Sequence, residues 1–405
     1  MSNRTFVLDL GSSKVACLVA ERSEDRLKLV DAAAVGSRGM HRGEIVDEDA
    51  LTKCIQVAMT RIDMDLPTSA EVIVNIGSTK MKSQTARGIR PIYPPDKVIQ
   101  QEDVLQVATH SRQIQLPSDE DTIQALPREY VLDGSDVVPD PIGKRASRLE
   151  VRTHVTTCPR SDLDALGRVV ESAGLRMGPI LPSGIASGLA AGRSSSANDS
   201  FIIVDIGSGT TDIAVFIRGA SAFAASLPVS SEHITNDIAA LLKISKEDAE
   251  SLKLSAGNAD PKEIEQDDVV SVKQVAEESA RPFQRKVLCE IIESRVREIA
   301  QLVKNRLQDS ELADELPKCV LLTGGGSHLP GMSAVFGTVF EGCRCSTATP
   351  RIGGTNSRQV AVPEMATLVG LAEYGLDGED ELVPASGAGS WKDRIRSLRL
   401  RIGSR

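Results

Sequence analysis

The sequence predicts an α/β protein of two large lobes. Two similar strand–turn–strand units carry that prediction, one in each half of the chain. In the first, residues 5–10 form an apolar strand, Gly11-Ser-Ser13 a tight turn, and residues 14–20 a returning apolar strand. Residues 200–217 repeat the order, with Asp205 ending the strand and Gly207-Ser-Gly209 turning it. A length of 405 residues, 41 % of them apolar, is enough to bury a sizeable core in each lobe.

Composition narrows the possible functions. Aromatic residues are 3 % of the chain and include a single Trp, so stacking platforms for bases are scarce and nucleic acid is a poor partner. The formal net charge is -9, yet residues 389–405 hold six Lys or Arg against Asp393, so that end is basic and the body strongly acidic. Such asymmetry predicts that the end meets an anionic surface. The seven cysteines form no CxxC pair, and Cys343 and Cys345 alone make an incomplete metal site; free thiols in a reducing cytoplasm are expected. The first residues read as a strand without a signal-peptide core, and no apolar run reaches the ~20 residues that a spanning helix needs.

Residues 1–82 are expected to form the first lobe core, joined by 161–195 and about 364–376. Within 83–160, Pro91, Pro94, Pro95, Pro117, Pro127, Pro139 and Pro141 break up short elements, as in an inserted α+β subdomain. Ser161 caps a helix of 3.6-residue apolar period that ends at Gly174 and returns to the first lobe. Residues 196–231 and 311–363 make the second lobe core. Residues 232–310, charge-rich and helical, make its subdomain, with a long amphipathic helix from about Phe283 to Leu307. Residues 377–389, acidic and then small, read as a flexible linker to a final helix over 390–405.

The turns suit phosphate. Gly11, Gly207 and Gly209 let backbone N–H groups approach an anion with no Cβ in the way, and Ser12, Ser13, Ser208, Thr210 and Thr211 add hydroxyl donors. Asp9, Asp205 and Asp212 supply carboxylates for hydrated Mg²⁺, a hard ion that keeps several waters when few protein groups and a phosphate hold it. A third segment, Cys319-Val-Leu-Leu-Thr-Gly-Gly-Gly-Ser327, is a strand whose Gly324, Gly325 and Gly326 could pass close to a nucleotide's sugar and base. Neither GxxxxGK[ST] nor a GxGxxG opening a helix is present, which disfavours P-loop and dinucleotide readings.

With two such hairpins and this strand, the sequence resembles the actin, chaperone and sugar-kinase superfamily, of ribonuclease H-like fold. Within it the chain is similar to the FtsA family of bacterial cell-division proteins. The likeness runs through Arg38, Gly39-Met40, Leu126-Pro-Arg-Glu-Tyr130, Arg148-Leu-Glu-Val151, His154, Ile234-Thr-Asn-Asp-Ile-Ala239, Gln284-Arg285, Val369-Gly370-Leu371 and Gly389-Ser-Trp391. It implies an actin-like two-lobed fold with its extra subdomain at 83–160, ATP and Mg²⁺ as ligands, Lys14 among the phosphate contacts, and Asp9 and Asp205 as the metal pair acting through water. Glu250-Ser-Leu-Lys253 reads by itself as a solvated helical pair; the resemblance makes Glu250 and Lys253 contacts to ribose and adenine. Relatives often carry a Glu-Pro before the small-residue helix after the insert, whereas here Leu181 precedes Pro182. Without that carboxylate, general-base help of ~10²–10⁴-fold is lost, so slow or absent ATP hydrolysis is expected. Ser230-Ser231 and the stretch Pro141-Ile-Gly-Lys-Arg-Ala146 also depart from the family pattern.

On a helix of 390–405, Trp391, Ile395, Leu398 and Ile402 share one stripe, flanked by Lys392, Arg394, Arg399 and Arg401, behind an S-x-x-D capping box. That composition fits a helix lying in the interface of an anionic membrane. By resemblance, Arg281, Arg285, Arg295 and Glu298 would receive the C-terminal peptide of FtsZ, and arginine donors meeting an acidic peptide make physical sense. The expected whole is an ATP-binding, self-polymerising adaptor on the cytoplasmic face of the inner membrane at midcell. It would tether FtsZ and recruit later division proteins through the insert. The rivals are an actin-like adaptor for another envelope machine, such as a pilus assembly, and a small-molecule kinase of the same fold.

Overall fold

The computed structural model describes residues 4–23, 26–63, 71–192, 200–275, 277, 279–354 and 357–377. Two five-stranded sheets organise it, and they share one topology. In the first, the hairpin strands Arg4–Leu10 and Lys14–Ser23 continue antiparallel into Arg26–Gly36, while Glu71–Ile76 and then Arg176–Pro182 add in parallel on the other side. In the second, Phe201–Ile206, Thr211–Ile217 and Ala220–Leu227 make the same meander, extended in parallel by Cys319–Thr323 and Arg344–Thr347. The central strands are apolar and buried up to the aspartate near their ends, because both faces of each sheet are covered.

Helix α1 (Glu48–Thr60) starts where the Asp47 carboxylate accepts from the Ala50 N–H at 2.9 Å, and buries Leu51, Ile55 and Ala58. The insert is a separate four-stranded antiparallel sheet ordered Asp136–Val138, Glu120–Leu132, Arg148–Pro159 and Lys82–Pro91. Helix α2 (Gln101–Ser111) covers it so closely that a Cβ at Gly88 would come within 2.3 Å of the Val107 carbonyl oxygen. Helix α3 (Arg160–Ser172) begins two residues earlier than a Ser161 cap predicts, placing Ser161 inside the first turn, and Gly174 follows it with φ +88°. Next come α4 (Ser183–Gly192), α5 (Ser231–Leu242) and α6 (Lys246–Ala256). Helix α7 (Arg285–Gln308) starts after the expected Phe283, because residues Arg281–Gln284 form a strand paired with Val269–Val272. Helices α8 (Met332–Val339) and α9 (Ala366–Asp377) complete the described chain.

His154 helps hold the insert against the second lobe. Ser83 Oγ accepts from the Ala224 N–H at 3.2 Å and shares a hydrogen bond with His154 Nε2 at 2.6 Å, while His154 Nδ1 shares another with Ser221 Oγ at 3.1 Å. Burial, and then the charge of Arg128, pushes the imidazole pKa down to about 3, which keeps the ring neutral. Arg218 adds an ion pair to the buried Glu129 at 3.0 Å. Among the described residues no helix is long and apolar enough to cross a membrane. The helix expected at 390–405, with Trp391, Lys392, Arg394, Ile395, Leu398, Arg399 and Ile402, lies outside the described residues, as does the linker beyond Asp377.

Helices α4 and α9 cross in the closest helix contact of the fold that a glycine permits. A Cβ at Gly370 would sit 1.7 Å from the Ala186 carbonyl oxygen, and backbone on both sides leaves nothing flexible to yield. Gly370→Ala should therefore destabilise the protein by ~3 kcal/mol, read as a lower midpoint of urea unfolding.

Candidate functional site

The two hairpins point their turns at each other across a cleft of about 1010 Å³. Each turn is closed by one bond, from Gly11 N–H to the Lys14 carbonyl at 3.0 Å and from Gly207 N–H to the Thr210 carbonyl at 2.9 Å. The turns approach so closely that a Cβ at Gly209 would come within 2.1 Å of Ser12 Oγ. Asp9, Gly11, Ser12, Ser13, Lys14, Asp205, Gly207, Ser208, Gly209, Thr210, Asp212, Glu250, Lys253, Gly324, Gly325 and Gly326 all line this one cleft. Thr211 does not: fully buried, it donates instead to the Val229 carbonyl at 2.7 Å. Alternation along the strand explains the correction, since Asp212 faces the cleft and its predecessor faces away.

Three buried carboxylates form the floor. Burial, partly offset by Lys14, pushes the Asp9 pKa up to about 6; burial and the neighbouring Asp205 push Asp212 to about 7. Asp205 is also raised by burial, against which the hydroxyls of Ser187 and Thr367 donate to it. Asp212 Oδ2 accepts from Thr210 at 3.0 Å, whereas Asp212 Oδ1 is buried with no partner. Gly77, from the first lobe, lies over that oxygen, where a Cβ would come within 3.4 Å. Lys14 reaches the Glu364 carbonyl, leaving the ammonium at the mouth of the first turn.

Lys253 is not a solvated surface residue, although its partner Glu250 stays part-exposed. Lys253 is buried, and its ammonium donates to Glu250 Oε2 at 2.7 Å and Thr235 Oγ1 at 2.8 Å; Thr235 donates to the same carboxylate oxygen. The pair forms the cleft wall beside Gly324, whose φ is +80° and whose Cβ would meet Asp205 Oδ1 at 2.2 Å. Sequence reasoning missed Asn75, which accepts from the Leu10 N–H at 2.7 Å, donates to Ser183 Oγ at 3.1 Å and so pins the first hairpin. It also missed Glu364, just before α9, and Thr367, in its first turn. All stand alone in the sequence, without a motif.

The cleft can cradle a polyanion on its glycine turns and hold a hydrated cation on its carboxylates. Among the described residues no group of three or more His, Cys, Asp or Glu is arranged to ligate a metal directly.

The arginines of the expected partner face do not line the cleft. Arg281, highly exposed, pairs with Glu277 at 2.9 Å. Arg285 pairs with Asp268 at 2.8 Å and donates to the Ala256 carbonyl. Arg295 grips both oxygens of Asp237, at 2.6 and 2.9 Å, and pairs with Glu298 at 2.6 Å.

Similarity to known proteins follows the same layout. Residues 202–370 match the family described as Cell division protein FtsA, and residues 78–157 match the SHS2 domain inserted in FtsA. Over 376 residues the chain is 30 % identical to the Cell division protein FtsA of Bacillus subtilis, spanning 92 % of this chain and 84 % of that one. This chain belongs to the FtsA family. The family's protein in Pseudomonas aeruginosa is 30 % identical over 390 residues, covering 95 % of this chain and 92 % of its own; that of Escherichia coli K12 is 29 % identical over 408, covering 96 % of each. An FtsA-family chain is a cell-division protein of the actin-like class, and solved structures bear out the fold. A PilM-PilN type IV pilus biogenesis complex aligns with a TM-score of 0.64 over 92 % of this chain and 98 % of that one, at 16 % identity. MreB5 of Spiroplasma citri bound to AMPPNP aligns at 0.52 over 91 % and 94 %, at 15 %.

An acid whose pKa is raised on folding costs stability as pH rises from its unfolded value, near 4, through its folded one. For Asp212 that window is about pH 4 to 7. Asp212→Asn, which cannot ionise, should gain on the parent protein by roughly 2 kcal/mol between pH 5 and pH 8, in urea unfolding without nucleotide. A stability difference independent of pH would contradict it.

Proposed function

We propose that the cleft binds ATP with Mg²⁺, and that the protein tethers FtsZ filaments to the cytoplasmic face of the inner membrane at midcell. The observation that carries the nucleotide reading is the meeting of two glycine turns over three buried carboxylates. Anions of a triphosphate would take the turn N–H groups, the hydroxyls of Ser12, Ser13, Ser208 and Thr210, and the Lys14 ammonium. Asp9 and Asp205 would hold Mg²⁺ through water, and the unpartnered Asp212 Oδ1 supports the fit of a hydrated ion. Bound there, Mg²⁺ supplies charge neutralisation of the phosphates. Glu250 and Lys253 would contact the ribose and base, with the main chain of Gly324, Gly325 and Gly326 passing beneath them.

Hydrolysis should be slow or absent. Leu181, at the position where relatives often place a carboxylate, is fully buried in the first-lobe core and cannot orient a water. Purified protein with membranes and FtsZ should bind ATP, yet release phosphate in a single-turnover assay no faster than its nucleotide dissociates. Fast release would overturn this part and make Asp212 the base to test.

Membrane and partner functions rest on different parts. The basic stripe of 390–405 would lie on anionic lipid at ~1 kcal/mol per basic residue, and a polymer of actin-like bodies would multiply weak tails into firm attachment. The acidic FtsZ peptide would bind at the strand pair that carries Arg281, where Val269 on the partner strand and Val275 after it are exposed. Recruitment of later division proteins is assigned to the insert at 83–160. One co-pelleting assay separates these functions. Deleting 390–405 should abolish binding to anionic vesicles and spare FtsZ, whereas Arg281→Glu should weaken FtsZ binding ~10-fold and spare vesicles. Arg295→Glu should weaken FtsZ too, but at a cost in stability, because the new carboxylate would face Asp237. Unchanged FtsZ affinity in both variants would reject the assigned face.

A further inference from the structure

Asp205 is held by two hydroxyls that belong neither to its own hairpin nor to its own lobe. Ser187, on α4, contacts Asp205 Oδ2, and Thr367, on α9, donates to the same oxygen at 3.0 Å. The two hydroxyls also touch each other at 3.0 Å, and both residues are buried. Both contacts therefore fall on Oδ2, while Oδ1 lies toward the glycine strand, against Gly324. A carboxylate tied through one oxygen has its plane fixed. The ties themselves are fixed by the α4–α9 crossing, whose spacing Gly370 sets against Ala186.

We propose that Ser187 and Thr367 are positioning residues that present Asp205 to the hydration shell of a nucleotide-bound divalent cation, so that the start of α9 is part of the metal site. The proposal rests on the nucleotide reading above and goes beyond it, since neither residue needs to touch ATP or the ion. Removal of such a supporting contact typically weakens metal affinity ~10–100-fold. The loss should appear in the part of ATP affinity that Mg²⁺ adds, because phosphate contacts to the turns do not pass through either hydroxyl.

The test is ATP binding to the full chain by calorimetry, in Mg²⁺ and in EDTA, for the parent protein and for Thr367→Val, Ser187→Ala and Thr367→Ser. The expected result is that Thr367→Val and Ser187→Ala lose ~10-fold or more of the gain in affinity that Mg²⁺ gives over EDTA. Thr367→Ser, which restores the donor, keeps the gain. Should Thr367→Val fail to fold, Ser187→Ala and Thr367→Ser carry the same comparison. A parent protein that binds ATP with a Mg²⁺ gain, beside variants with that gain intact, would overturn the positioning role alone. A parent protein that binds ATP equally well in both buffers would overturn it too. No ATP binding in either buffer would bring down the nucleotide reading and this inference with it.

Discussion

Asp9, Asp205 and Asp212 are buried together, and each feels that burial as a penalty on its charged form. Isolated carboxylates in such surroundings take up protons, and two of these three are held near pH 6 and pH 7. A floor of this kind is costly to build from stability alone. It becomes favourable when a cation enters, because an ion that binds only the folded state returns the desolvation cost as binding energy. The Lys14 ammonium, which also donates to the Glu364 carbonyl, offsets part of the charge, and the hydroxyls around Asp205 neutralise none of it. The rest of the cleft is arranged around keeping these oxygens close and accessible.

Small residues do that arranging. Gly209 against Ser12 and Gly324 against Asp205 are two places where any side chain would push the walls apart. The same device recurs away from the cleft, at Gly370 on Ala186 and at Gly188 against Phe216, where helices rather than turns are brought close. Cleft and helix crossing thus share one constraint. The start of α9 contributes Thr367 to Asp205 only because Gly370 lets the helix settle onto α4, so a packing change one turn along would be felt at a carboxylate.

This explains what was legible in the sequence and what was not. The hairpins announce themselves because strand, turn and strand are contiguous: the period of two, the glycines and the aspartates fall within a dozen residues. The triple glycine after residue 323 is equally local. The two matching sheets could be inferred from the repeated hairpin, although their parallel strands come from distant segments. Asn75, Ser187, Glu364 and Thr367 carry no such signal. Each is one polar residue in an apolar or mixed stretch, and its role exists only once strands and helices from other parts of the chain surround it. Thr211 shows the converse, a residue inside the motif whose side chain the strand's alternation turns into the core. Lys253 also escaped a bare reading, since an i,i+3 pair with Glu250 is a surface pattern until α5 buries the lysine under Thr235.

Charge separates the body from its end, and on the proposed reading that separation sets how the protein sits on a membrane. The whole chain is at -9 although residues 389–405 are basic, so the body must be repelled by the anionic lipid that attracts the tail. Screening decides whether that repulsion matters. At physiological salt it decays over ~8 Å, whereas a coil with the length of 377–389 would span ~20 Å on average. The acidic body can then hang beyond the reach of the surface potential while the tail stays within it. A shorter linker would pit the two against each other. On that reading the length of 377–389 would be a physical requirement of the tether.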